Sequence, residues 1–124
     1  MPFSFEALKI YQDALGFVQL ANSLSTSPNF RLKKTIVDQL GRASLSIPLN
    51  IAEGSGRWHD GEKKQFFRIA RGSIFECVSI IQVMKATEEI SELDFQTCYS
   101  KLEELSKMIS GLLKSVECKT ASTV

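Results

Sequence analysis

The chain is expected to form an all-α domain, an up-and-down antiparallel four-helix bundle. Three observations lead there. Apolar residues recur at steps of three and four through four long segments, the spacing that lines one face of a helix. Short breaks built from Pro, Gly, Ser and Asn separate the segments. Strand signals are absent. Helices of such length joined by short connections pack as antiparallel neighbours.

The first segment spans about 5–25, with Leu8, Tyr11, Leu15 and Val18 on one face. It ends in a loop, Ser25-Thr26-Ser27-Pro28-Asn29. The second spans about 30–54, with Leu32, Ile36, Leu40, Ala43, Ile47 and Ile51 in line. Pro48 lies inside it and is expected to bend the helix or leave the Ser44 carbonyl without its helical donor. Gly54-Ser55-Gly56 should stop it. The third segment, about 60–88, begins at Asp60 as N-cap with Glu62 in the first turn. It continues through Phe66, Ile69, Ala70, Ser73, Cys77, Ile80 and Met84. The fourth, about 92–116, opens on Ser91 and Asp94, which resemble a capping box. Its apolar residues, Phe95, Cys98, Leu102, Leu105, Ile109, Leu112 and Val116, repeat as a heptad seam. Residues 1–116 thus form one bundle domain, and the aperiodic tail 117–124 is expected to be disordered. The competing architecture, an extended hairpin that dimerises into a bundle, fits poorly with the clear break at Pro28.

Composition narrows the function. The 124 residues are 44% hydrophobic and 23% charged, ordinary for one water-soluble domain. No stretch reaches the roughly 20 apolar residues of a membrane span. Glu6 stands where a signal peptide needs a basic start and an apolar middle, so a cytoplasmic protein is expected. Cys77, Cys98 and Cys118 match no zinc or redox spacing, and His59 is the only histidine; no metal, cofactor or small-molecule ligand is expected. Net charge is +1, but it is unevenly spread. Residues 31–71 hold nine basic and four acidic side chains, leaving six basic and ten acidic elsewhere.

The second segment carries more apolar surface than one core needs. At 100° per residue, Leu45, Leu49 and Ala52 fall opposite Leu40 and Ile47, with Arg42 and Glu53 beside them. Phe75 lies on the side of the third segment away from its apolar arc. A patch of this kind needs a cover, and a second copy of the chain is the simplest one. Arg42, Leu45, Leu49, Ala52, Glu53 and Phe75 are therefore the candidate subunit interface.

The stretch from Gln39 to Glu76 reads QLGRASLSIPLNIAEGSGRWHDGEKKQFFRIARGSIFE. It resembles the four-helix-bundle protein family, the 23S rRNA-intervening sequence proteins, whose pattern joins a QL-x-RA run, SI-x-x-NIAEG-x-GR and an aromatic-rich helix with IA-x-GS-x-x-E. The opening FEALKIYQDA fits as well. Gln39, Arg42, Ala43, Ser46, Ile47, Asn50, Glu53, Gly54, Gly56, Arg57, Ser73 and Glu76 stand at matching positions. Gly41 and the loop Trp58-His59-Asp60-Gly61 depart from the pattern. The resemblance implies a ring-like homopentamer without known enzyme activity. A distant relative, the accessory protein of diversity-generating retroelements, binds a reverse transcriptase and nucleic acid.

Among the polar residues, Asn50, Gly54, Gly56, Ser73 and Glu76 form a structural signature. Glu53 and Glu76 invite reading as an acid–base pair, but no His, metal set or activated nucleophile accompanies them, so no catalytic residue is assigned. Glu76, set between Ile69, Ile80 and Val83, is expected to be semi-buried and to take a donor from Arg42, Asn50 or Arg57, of this or another subunit. Gly54-Ser55-Gly56-Arg57 lacks the spacing of a phosphate loop. Arg57, Lys63, Lys64, Arg68 and Arg71 form the candidate nucleic-acid surface, whose ordinary alternative is a solvated helix face. RNA, DNA or a nucleic-acid enzyme, or protein partners alone, are the alternatives for what the assembly would engage.

Overall fold

The computed structural model describes residues 2–25 and 34–122, with side chains for 2–24 and 34–117. A short 3-10 turn, Ser4–Ala7, leads into α1 (Lys9–Ser25). Then come α2 (Lys34–Ser55), α3 (Asp60–Ala86) and α4 (Glu92–Ser122). There is no strand among the described residues. Each helix packs on the next, and α1 closes against α4. The architecture is the expected four-helix bundle. The expected loop at 26–29, Leu32 and the first turn of the second segment lie outside the described residues.

Local chemistry explains the boundaries. The cap of α3 is His59, extended at φ −96° and ψ 137°, rather than Asp60. Asp60 is instead the first helical residue and, with Glu62, places negative charge at the positive end of the helix dipole. Ser91 does cap α4: its Oγ accepts the Asp94 N–H at 3.1 Å. The turn before it is a Schellman closure. The Glu89 N–H reaches the Met84 carbonyl at 2.7 Å, and the Glu88 N–H reaches that of Lys85 at 3.1 Å. Helix α4 extends to Ser122, six residues past the expected end at 116, so the stretch expected to be disordered is helical to that point.

The core takes one stripe from each helix. On α4, Phe95, Cys98, Leu102, Leu105 and Ile109 are buried, as the heptad spacing predicts. On α2, Leu40, Ala43, Ile47 and Ile51 are buried, again as expected. Helix α1 is rotated from expectation. Ile10, Ala14, Phe17, Ala21 and Leu24 face inward, while Leu8, Tyr11, Leu15 and Val18 are half-buried. Helix α3 differs in the same sense. Phe67, Ala70, Ile74, Cys77, Ile81 and Met84 fill the core, whereas Ile69 is 45% exposed. Both helices have apolar arcs wider than one stripe, and spacing alone does not say which edge of an arc faces the centre.

Pro48 sits inside an unbroken α2 and is buried. Its ring nitrogen has no hydrogen, so the Ser44 carbonyl lacks an i+4 amide donor. The Ser44 hydroxyl does not compensate, since it donates to the Gly41 carbonyl at 3.1 Å. Gly54 is likewise inside α2, with Gly56 forming the turn after it. Gly54 is there for space rather than as a stop. A Cβ on it would lie 2.6 Å from Phe67 Cε1.

Candidate interaction surfaces

The outward stripe of α2 is exposed as the helical geometry requires. Leu45 is 49% and Leu49 57% exposed; Arg42 and Glu53 are exposed and Ala52 is half-buried. Phe75 is also exposed, but it belongs elsewhere. It lines a groove of about 320 Å³ between α3 and α4, with Val78, Tyr99, Glu103 and Lys107. The single patch expected from the sequence is therefore two patches on different sides of the bundle. The cause is rotational: the polar α2-facing edge of α3, marked by Ser73 and Glu76, separates Phe75 from α2.

That edge carries the polar signature. Asn50 Nδ2 donates to the Ser46 carbonyl at 2.7 Å and to Ser46 Oγ at 2.9 Å. Ser73 Oγ lies in donor range of Ser46 Oγ at 2.8 Å and of the Ile69 carbonyl at 3.0 Å. One proton serves one acceptor at a time. When Ser73 donates to Ile69, the Ser46 hydroxyl donates across to Ser73, and both hydroxyls and the Asn50 amide nitrogen have partners. This ties α2 to α3 at one level and is structural rather than catalytic. Ser46 is the member whose role sequence reading had not singled out; its spacing of four from Asn50 was the available signal.

Glu76 departs from expectation. It is exposed rather than semi-buried, and its donor is Gln39 Nε2 at 3.0 Å, not Arg42, Asn50 or Arg57. Glu53 Oε1 instead meets Arg57 Nη2 at 3.5 Å. Gln39 and Glu53 stand fourteen residues apart on α2, roughly 21 Å of helix, so the two carboxylates make no acid–base pair within a chain. Among the described residues, no three His, Cys, Asp or Glu side chains are grouped to hold a metal ion. No described helix is long and apolar enough to cross a membrane.

Four of the five basic candidates make contacts within the chain. Arg57 stacks 4.6 Å from the Phe66 ring centroid and also lies 3.7 Å from Glu62. Lys63 Nζ donates to the Ser55 carbonyl at 3.1 Å, where it neutralises the negative end of α2. Arg71 lies over Phe75 at 4.5 Å. Arg68 is 3.9 Å from Glu117, an exposed and weak pair. Lys64 is half-buried. Beside them Trp58 is 94% exposed. The buried thiols are electrostatically quiet. Burial pushes Cys77 up to about 12, aided by the Glu76 and Cys98 charges. Burial, then Asp94, pushes Cys98 up to about 11. Neither is poised as a nucleophile.

Fold and site together define an all-α up-and-down bundle whose polar residues knit helices together and whose apolar surplus lies on two outer surfaces. The chain belongs to the 23S rRNA-intervening sequence protein family, whose model matches residues 6–111. Among solved structures it is similar to a protein of unknown function from the S23 ribosomal protein family of Bacteroides thetaiotaomicron. That likeness has a TM-score of 0.78 at 19% identity, covering 85% of this chain and 98% of the other. It concerns the fold. Comparison with curated proteins finds no significant match.

Proposed function

We propose that this protein is a non-catalytic scaffold that acts as a homo-oligomer in the cytoplasm. The observation that carries this reading is the pair Leu45 and Leu49, side by side on the outward stripe of α2 and about half exposed. Two leucines one turn apart, with no polar group between them and water, favour a cover. The family resemblance favours a ring of five. The separation of Glu53 from Glu76 and the raised thiols of Cys77 and Cys98 support a role without chemistry.

Light scattering at micromolar concentration tests the reading. The expected mass is about five times the 13.8 kDa chain, and a monomer mass refutes self-association. Leu49→Asp should dissociate the oligomer with helix content intact, because the side chain is 57% exposed in the single chain. Protein partners rather than nucleic acid fit the surface better, since Arg57, Lys63 and Arg71 are engaged within the chain. Steeply salt-dependent binding of labelled RNA or DNA at about 50 mM salt would restore the nucleic-acid reading.

A further inference from the structure

We infer that the loop between α2 and α3 is a docking point for a protein partner that offers an arginine side chain to the groove beside Trp58. The inference rests on the proposed scaffold role and names the chemistry of what the scaffold holds. The groove, of about 530 Å³, is lined by Glu53, Gly56, Arg57, Trp58, His59 and Glu62. Trp58 stands in it 94% exposed. Among the described residues no ring and no cation stacks on its indole. A tryptophan left in water at a loop tip adds little to the core. Large amphipathic rings placed this way are the side chains that anchor interfaces. Trp58 also belongs to the loop that departs from the family pattern, so the anchor is particular to this chain.

Charge selects the occupant. Glu53 and Glu62 share one guanidinium, that of Arg57, at 3.5 and 3.7 Å. Both distances are longer than a good charge-assisted hydrogen bond, and the same guanidinium also rests on the Phe66 ring. Each carboxylate is about half exposed, and among the described residues its second oxygen has no donor. The lining thus carries two carboxylates against one guanidinium, and Asp60 adds negative charge at the start of α3. An anion is repelled there, whereas a cation is attracted. A guanidinium suits both halves of the groove, because its planar fork pairs with a carboxylate while its face stacks on the indole. A small free cation covers one face of the indole and leaves the rest in water. The backbone and side chains that flank an arginine in a polypeptide cover the remainder. Each copy in an oligomer presents one such groove, so a partner with several arginines gains avidity.

Trp58 is the single tryptophan of the chain, so its fluorescence reads the groove directly. Titrating the wild-type protein with a peptide of repeated Arg-Gly should quench or blue-shift the emission saturably, and less at high salt. The same peptide with Asp in place of Arg should leave the emission unchanged. In anisotropy with the labelled Arg-Gly peptide, Trp58→Ala should weaken binding about fivefold through the lost stacking. Glu53→Gln with Glu62→Gln should weaken it about tenfold through the lost charge. Circular dichroism should show wild-type helix content in both variants, since all three side chains are largely exposed. No response to the Arg-Gly peptide overturns the inference, as does argininamide binding as tightly as the peptide. Quenching by a single-stranded oligonucleotide and not by the peptide overturns it in favour of nucleic acid. A wild-type emission that is already shielded without peptide, and turns solvent-like in the Leu49→Asp monomer, assigns the groove to a subunit contact and also overturns it. Light scattering on the same samples keeps the two readings apart. A monomer that binds the peptide removes self-association and keeps the site; an oligomer that ignores the peptide removes the site alone.

Discussion

The side of Gly54 lies against the ring of Phe67. A Cβ built on Gly54 would meet Phe67 Cε1 at 2.6 Å and Cδ1 at 2.8 Å, with Phe66 Cβ at 3.1 Å. Phe67 is only 2% exposed, so its ring has nowhere to retreat. The closest approach of α2 and α3 near the loop therefore depends on the missing methyl group. Gly54→Ala should destabilise the fold by about 1–2 kcal/mol, since overpacking outweighs the gain in helix propensity. Urea denaturation checks it, and an unchanged or raised midpoint would show that the ring moves aside.

The α3–α4 turn stores a local cost. Glu88 has a φ of 57°, the one non-glycine residue with positive φ among those described. It occupies the left-handed position of the Schellman closure, where a side chain crowds the following carbonyl. Glu88→Gly should stabilise the protein by about 0.5–1 kcal/mol, the relief being partly offset by extra freedom in the unfolded chain. Thermal unfolding should show a higher Tm.

Ser46 and Ser73 should be energetically coupled. Each single change to Ala leaves the other hydroxyl without its cross-helix partner at 2.8 Å. A double-mutant cycle should therefore give a coupling of about 0.5–1 kcal/mol. Additive losses would mean that each serine is satisfied within its own helix.

The buried thiols give stability a pH dependence. Cys77 is pushed up to about 12 and Cys98 to about 11 from an ordinary 9.0. Below pH 9 both are protonated in either state and the term is constant. As pH rises above 9, the unfolded thiols ionise first, so the unfolded state binds fewer protons and stability falls until the folded values are passed. Tm should drop as pH rises from about 9 towards about 11, and the drop should be smaller in Cys77→Ala. An equal drop in both proteins would assign it to other groups.

The α4 seam and the α2 core stripe were legible in the sequence because each is narrow: Phe95 to Ile109 and Leu40 to Ile51 have one apolar line facing one way. The outward position of Leu45 and Leu49 followed from the same arithmetic. In α1 and α3 the arc is wide. Periodicity placed Ile69 inward, yet the pairing of α3 with α2 turned it out and brought Phe67 and Ile74 to the centre. The partner of Glu76 was equally undetermined, because Gln39 is 37 residues away along the chain. By itself, then, the sequence determined the class of fold, the number of helices and the existence of surplus apolar surface, since these depend on residues three, four and seven apart. Only the tertiary structure decided the rotation of each helix about its axis. That rotation separates Phe75 from Leu45 and Leu49 and links Ser46 to Ser73, because it is set by the neighbouring helix and not by local spacing.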